Sequence, residues 1–341
     1  MTARKTRNTE RGRFLRRLLR WMATAFVVGA VAAFVFYIVW EPRPETEERF
    51  DRQLNGVWVG HKWYTGVSVR GEEPVTDLEL EALAATIARH GLRYVYVHVG
   101  PVLSDGTIAD EPGPLLGRLL EDDSGAACLA WLGGLTGTID LADPLWRAGF
   151  LETCEGMVAL GFDGIHLNFE PLHNHHDGYI ELLAALRAQL GPDVLISHAT
   201  HRSAPLGLSL VFLDRHFWSG SFYRRAMAHA DQTVLMGYDT GLGTTESYLA
   251  FIGHQTRLLV RWASAFPGHQ VLIGIPSYEE GGPASDPLVE NIANGALAVR
   301  RGLEREGTGN GAFAGVAVYA NWVTDEQDWA DFRRYWMEGS E

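Results

Sequence analysis

The sequence predicts a (β/α)8 (TIM) barrel preceded by one N-terminal transmembrane helix. Short β-branched or aromatic runs alternate with longer segments of helical period, and residues 55–341 have room for eight such units. A stretch of twenty residues without a charge, 21–40, predicts the membrane helix. The eight predicted strands are 56–63, 92–100, 127–134, 164–171, 193–200, 232–240, 270–278 and 315–322.

The N-terminal region carries the signals of a membrane anchor. Its first twenty residues hold eight Arg or Lys against the single acid Glu10, which predicts a cytoplasmic N-terminus with the rest of the chain outside. A cleaved signal peptide is the alternative, because Ala30-Val31-Ala32 resembles a cleavage site, but the apolar run continues beyond it. We therefore expect a single-pass protein of the cell membrane. Its predicted parts are a basic tail (1–20), a signal-anchor (21–40), a linker (41–54) and an extracytoplasmic domain (55–341).

The remainder of the chain is acidic. The net charge is −13 although the first twenty residues carry +7, so the other residues carry −20. A body of this charge argues against nucleic acid as a partner. The two cysteines, Cys128 and Cys154, are too few for a disulfide framework, and either a single disulfide or two buried thiols fits the sequence.

Helix signals lie between the predicted strands. Thr76 and Glu79 form a capping-box pattern, and Gly91 marks the end of the helix that follows. Leucines at helical spacing predict a second helix over Tyr179–Leu190, and a last helix over Glu326–Met337 would complete the ring. A doubly wound open sheet is the alternative, but no GxGxxG or Walker loop follows the first strand.

The fourth predicted strand carries the most informative polar residues. Side chains alternate between the two faces of a strand, so His166, Asn168 and Glu170 share the face that points into the barrel. The active sites of such barrels lie at the carboxyl ends of the strands, which places Glu170 at the mouth. Partial burial there would raise its pKa towards the range of a useful proton donor.

This strand resembles a known catalytic motif. Asp163-Gly-Ile-His-Leu-Asn-Phe-Glu170 is similar to the DxxDxDxE motif of family 18 glycoside hydrolases, which are chitinases and endo-β-N-acetylglucosaminidases. Three further motifs follow the family's order: Leu132-Gly133-Gly134 resembles SxGG, Met236-Gly-Tyr238-Asp239 resembles MxYD, and IGIPSY at 273–278 resembles LGxPxY. The resemblance covers nearly all of the predicted barrel. It implies a glycoside hydrolase with a carbohydrate substrate that contains N-acetylhexosamine.

The departures from the motif define the implied mechanism. Asn168 replaces the Asp that precedes the catalytic Glu, and this Asn-x-Glu pair resembles family 85 endo-β-N-acetylglucosaminidases. Both families use the substrate's acetamido group as the nucleophile. The resemblance thus implies that Glu170 is the acid and base, that Asn168 orients the acetamido group and that Tyr238 holds its oxygen. The other substrate-binding positions that we expect are Asp239, His166, Tyr319, Trp322, Tyr278 and His98.

No cofactor is expected. The histidines of LHNHHD (172–177) have no further ligand at a spacing diagnostic of zinc, so we also expect no metal. Two alternatives to the acetamido mechanism remain. One is a glycosidase with two protein carboxylates, in which Glu279 or Glu280 would be the nucleophile. The other is a glycan-binding barrel without catalysis, because two aspartates of the motif are replaced.

Overall fold

The structure is a computed structural model that describes residues 19–27, 29, 50–68, 73–121, 125–204, 214–306 and 311–339. The chain divides into two compact units, Met1–Pro42 and Arg43–Glu341. In the first unit residues 19–27 are helical. Most of the predicted tail, membrane segment and linker lies outside the described residues. Among the helices that are described, none is long and apolar enough to span a membrane.

Eight parallel strands close a barrel in the second unit, which confirms the predicted barrel and all eight of its predicted strands. The barrel strands follow one another around the ring in chain order, and the last pairs with the first. A separate two-stranded sheet, β6 with β7, lies between the fifth and sixth barrel strands. The strands are β1 (Asn55–Val59), β2 (Leu92–Pro101), β3 (Ala127–Leu135), β4 (Gly164–Glu170), β5 (Leu195–Thr200), β6 (Arg202–Ser203), β7 (Phe217–Trp218), β8 (Gln232–Leu235), β9 (Gln270–Pro276) and β10 (Phe313–Tyr319).

A helix follows each barrel strand, as the alternating pattern predicts. The capping box of Thr76 and Glu79 is present at the start of α2. The predicted last helix is α-helical only at its start and continues as a π-helical turn over Phe332–Met337. The helices are α1 (Lys62–Thr65), α2 (Asp77–Arg89), α3 (Leu116–Leu120), α4 (Pro144–Ala159), α5 (Asp177–Leu190), α6 (Gly220–Met227), α7 (Thr245–Ala263), α8 (Ile292–Glu306) and α9 (Glu326–Asp331).

Two apolar layers hold the barrel together. The outer layer lies between strands and helices and contains Ile165, Leu167 and Phe169 of β4, so the predicted alternation of faces is confirmed. The inner layer fills the barrel with large rings, among them those of Trp58, Tyr96, Trp131 and Tyr238. Cys128 and Cys154 are buried free thiols of the outer layer.

Close packing inside the barrel depends on a glycine of β9. A Cβ atom on Gly274 would lie 3.0 Å from Cε1 of Tyr238 and 2.7 Å from the carbonyl oxygen of Leu235. It would also lie 3.3 Å from Cη2 of Trp58. Any other residue at this position would displace the rings beneath the barrel mouth, so Gly274 helps to position the site described next.

Candidate active site

Glu170 lies at the carboxyl end of β4, partly buried at the barrel mouth. Burial raises the pKa of its carboxyl group above the ordinary range, and the negative charge of Asp239 raises it further. A hydrogen bond from the side chain of Asn168 and the charge of Arg202 partly offset this rise. A carboxyl group in these surroundings can hold a proton nearer to neutral pH than an exposed glutamate does.

Asn168 lies two residues before Glu170 and points into the same space, as the alternation along β4 predicts. Its Oδ1 is buried and has no hydrogen-bond partner among the described residues. A buried amide oxygen without a donor costs on the order of 1–3 kcal/mol. Asn168 therefore presents an acceptor that a ligand N–H group could satisfy at the mouth.

Tyr238 belongs to a cluster of rings next to these residues. It stacks on Tyr319, with ring centroids 4.5 Å apart and planes 15° apart, and meets Tyr278 edge-on at 6.2 Å. Trp58 packs edge-on below both Tyr238 and Tyr319. Burial raises the pKa of the Tyr238 hydroxyl well above its usual value, with smaller contributions from neighbouring tyrosines and acids. The hydroxyl is therefore protonated and can donate a hydrogen bond.

Asp239 follows Tyr238 in a segment that has left the sheet, because β8 ends at Leu235 rather than at residue 240 as predicted. Asp239 is exposed and has φ of 52°, in the left-handed region that non-glycine residues seldom adopt. Its charge acts on Glu170, so the structure brings it into the same site. We call Asn168, Glu170, Tyr238 and Asp239 the central site.

His166 lies deeper than predicted. It is fully buried, and both of its ring nitrogens are engaged: Nε2 accepts from Nε1 of Trp58 at 3.1 Å, and Nδ1 lies 2.8 Å from Oγ of Ser197. Oγ of Ser197 donates in turn to Oε1 of Gln232 at 2.7 Å. The expectation that His166 contacts substrate is wrong for this arrangement, because no surface of its ring is accessible. We call Trp58, His166, Ser197 and Gln232 the interior network.

A cavity of about 480 Å³ opens beside the central site, above strands β1, β2 and β3. Trp322 and His98, both predicted to bind substrate, line it together with Trp63 and Trp131. The ring of Trp322, half exposed, lies 5.7 Å from that of Tyr319 and so joins the cavity to the central site. Burial lowers the pKa of His98 to about 4, so its ring is neutral at pH 7. We call this cavity the aromatic pocket.

Two of the aromatic pocket's rings were missed by the sequence analysis. Trp131 lies on β3, and its register partner is His166 on β4, so the alternation of faces could have placed it inside the barrel. Trp63 follows β1 in the short helix α1, where no periodic pattern reveals its direction.

The predicted alternative nucleophiles do not join the central site. Glu279 and Glu280 are both exposed and lie beyond the end of β9. The charge of Glu279 acts on Asp328, near the start of α9, whereas the charges that act on Glu170 come from Asp239 and Arg202. A third acid, Glu290, lies closer to the central site but is completely buried behind it.

Arg202 and Glu290 are polar residues near the site that no sequence pattern singles out. Arg202 of β6 donates from Nη1 to the carbonyl oxygen of Tyr238 at 2.6 Å. Glu290 accepts through Oε1 from the backbone N–H of Thr240 at 2.9 Å and from its hydroxyl at 2.6 Å. Arg202 lies on the two-residue strand β6 and Glu290 in the segment between β9 and α8. Neither residue belongs to a motif, so only the folded chain brings them to the central site.

No protein-family model and no curated protein sequence matches the chain, whereas many solved structures do. One is the spore cortex-lytic enzyme SleL of Bacillus cereus, with 13% identity, 87% of this chain and 76% of that chain covered, and a TM-score of 0.57. Another is a chitinase of Chromobacterium violaceum, with 14% identity, 82% and 98% coverage, and a TM-score of 0.54. A third is a fungal endo-β-N-acetylglucosaminidase of glycosyl hydrolase family 18, with 17% identity, 83% and 97% coverage, and a TM-score of 0.54.

The barrel thus shares its fold with this family 18 endo-β-N-acetylglucosaminidase. At these identities the likeness establishes the shared fold, and the chemistry has to be argued from the residues of this chain. The likeness of Asn168 and Glu170 to the family 85 pair stays a prediction, because none of these structures bears on it.

Proposed function

We propose that the protein is a glycoside hydrolase that cleaves glycans containing N-acetylhexosamine, with the substrate's acetamido group as the nucleophile. The observation that carries the proposal is the pairing on β4 of a carboxyl group with a raised pKa and an amide oxygen without a partner. The first can supply a proton, and the second can accept the acetamido N–H. The family 18-like fold agrees with this chemistry.

In the first step Glu170 protonates the glycosidic oxygen. The acetamido oxygen attacks the anomeric carbon, the bond to the leaving group breaks, and a cyclic oxazolinium ion forms. Asn168 accepts a hydrogen bond from the acetamido N–H through Oδ1, and the Tyr238 hydroxyl donates one to the acetamido oxygen. Together they orient the acetamido oxygen towards the anomeric carbon. In the second step the Glu170 carboxylate takes a proton from water, which opens the ring with overall retention.

The aromatic pocket supports a substrate longer than one sugar. Its indole rings offer flat apolar surfaces of the kind that pack against the faces of pyranose rings. Because Trp322 contacts Tyr319, a glycan held in the pocket would continue into the central site. Carbohydrate binding without turnover is the competing function, and the retained Glu170 argues against it.

The test uses the full-length protein purified in detergent. Turnover of N-acetylated oligosaccharides is compared with that of their deacetylated forms, with and without a thiazoline mimic of the oxazolinium ion. We expect cleavage only of acetylated chains and inhibition by the mimic. Cleavage of deacetylated chains without inhibition would exclude the acetamido nucleophile, and Glu279→Gln and Glu280→Gln would then test the two-carboxylate alternative. Binding without turnover, unchanged in Glu170→Gln, would exclude both enzymatic mechanisms.

We also propose that residues 21–40 anchor the protein in the cell membrane with the barrel outside the cytoplasm. The support is the uncharged sequence, the preceding arginines and the exposed apolar side chains of the short described helix, such as Trp21 and Phe26. Protease treatment of intact cells tests the topology. The proposal requires that the barrel be digested while an epitope on the N-terminus survives.

A further inference from the structure

The segment after β8 carries two residues of the central site, Tyr238 and Asp239, although no strand or helix holds it. Asp239 has a left-handed backbone conformation, which costs a non-glycine residue on the order of 1–3 kcal/mol and persists only where the surroundings impose it. Something outside the segment must therefore fix its course, and the contacts around it identify the residues that do so.

The two peptide units on either side of Asp239 are each held by a side chain from outside the segment. The guanidinium of Arg202 donates to the carbonyl oxygen of Tyr238, in the peptide unit before Asp239, at 2.6 Å. The carboxylate of Glu290 accepts from the backbone N–H of Thr240, in the peptide unit after Asp239, at 2.9 Å, and from the Thr240 hydroxyl at 2.6 Å. Hydrogen bonds on both sides of Asp239 leave its backbone little freedom to rotate.

Glu290 itself has no direct use in the chemistry. It is completely buried, so it does not reach a substrate at the barrel mouth. Its Oε2 has no hydrogen-bond partner among the described residues. The charge of Arg202 lies close to both Glu290 and Asp239. Burying a carboxylate is costly unless partners compensate it, and here its partners are Arg202 and the segment that carries the central site.

We propose that Glu290 is a positioning residue that, with Arg202, fixes the two peptide units on either side of Asp239 so that the side chains of Tyr238 and Asp239 face Glu170. A further hydrogen bond supports this arrangement: the hydroxyl of Tyr248 donates to the carbonyl oxygen of Gly237 at 2.8 Å. The catalytic part of this inference rests on the proposed function, whereas the structural part does not.

The experiment compares Glu290→Ala with Glu290→Gln in the full-length protein. Glutamine keeps an acceptor oxygen for both donors of Thr240, and alanine removes it. Amide hydrogen exchange over residues 236–242 is the first measurement, because it requires no activity. We expect exchange in Glu290→Ala to be faster by on the order of 10- to 100-fold, the factor for losing hydrogen bonds to a charged group, and to be largely restored in Glu290→Gln. Glu246→Ala, which removes an exposed acid of α7 next to the same segment, is the matched control and should leave exchange unchanged.

The second measurement is turnover. A positioning role predicts that kcat falls about 10- to 100-fold in Glu290→Ala, with a smaller change in KM, and that Glu290→Gln recovers most of it. Unchanged exchange over 236–242 in Glu290→Ala would overturn the inference. A wild-type protein without turnover would instead refute the proposed function, and the exchange data would still decide the structural part. If Glu290→Ala fails to fold, Thr240→Val, which removes one donor at constant volume, must show the faster exchange.

Discussion

The interior network and the central site lie in the same barrel, two residues apart along β4, yet they differ in how their polar atoms are satisfied. In the interior network each residue is hydrogen-bonded to the next, from Trp58 through His166 and Ser197 to Gln232. In the central site Oδ1 of Asn168 is unpaired and the pKa of Glu170 is raised. Side chains on the same face of β4 therefore differ in role with depth. His166 stabilises the interior of the barrel, whereas Asn168 and Glu170 at the mouth are available for chemistry.

This difference distinguishes residues that stabilise the fold from residues that are available to bind a ligand. A buried polar group that has found its partners stabilises the barrel, and its removal leaves those partners unsatisfied. A buried polar group without a partner lowers stability, so its presence calls for an explanation beyond folding. The comparison predicts that mutations in the central site reduce activity and that mutations in the interior network reduce stability.

The largest expected effect is that of Glu170→Gln. Loss of the proton donor should lower kcat by on the order of 10²- to 10⁴-fold, with little change in KM, because glutamine keeps the shape of the side chain but cannot transfer a proton. Steady-state kinetics on an N-acetylated oligosaccharide measures this. Retention of more than about a tenth of kcat would show that another group is the acid.

Asn168→Ala should lower kcat by about 10- to 100-fold, because the acetamido group loses the acceptor that orients it. The free energy of unfolding should fall by only about 1 kcal/mol, because the change removes the hydrogen bond that the Asn168 side chain donates to Glu170, whereas Oδ1 gives up none. Kinetics and urea unfolding of the same preparation separate the two effects. A large loss of stability with normal kcat would place Asn168 with the structural residues.

Ser197→Ala tests the interior network. It removes the partner of Nδ1 of His166 and one of the two hydroxyl donors to Gln232, the other being Tyr96, and we expect the free energy of unfolding to fall by about 1–3 kcal/mol. The kcat of the folded protein should stay within about twofold of wild type, because Ser197 is fully buried below the mouth. Urea unfolding gives the first value. A drop in kcat comparable to that of Asn168→Ala would remove the distinction between the two regions.

The smallest expected effect is a pH dependence of stability. Because the folded-state pKa of Glu170 is raised, its contribution to stability is complete below the unfolded value, 4.5, and is lost as pH rises through the folded value. Glu170→Gln does not titrate, so its stability relative to wild type should increase from pH 4 to pH 8. Urea unfolding at the two pH values measures the difference. A constant difference would mean that the surroundings of Glu170 do not disfavour its charge.

The sequence predicted the parts of the site that follow from local rules. Alternation along β4 put Asn168 and Glu170 on the inward face, and the motif order placed Tyr238 and Asp239 after the sixth barrel strand. It failed for His166, because alternation gives the direction of a side chain and not its depth. It also gave no sign of Arg202 or Glu290, which meet the Tyr238–Thr240 segment across 36 and 50 residues of chain.

The sequence by itself thus determined the eight strands, the capping box at the start of α2 and the acid at the end of β4. These depend on side-chain period, capping and strand direction, which act within a few residues. Only the tertiary structure decided that His166 supports Trp58, that Trp63 and Trp131 join Trp322 in one pocket, and that Arg202 and Glu290 hold the peptide units on either side of Asp239. The physical reason is barrel closure, because it sets which distant side chains meet and how far each lies from water.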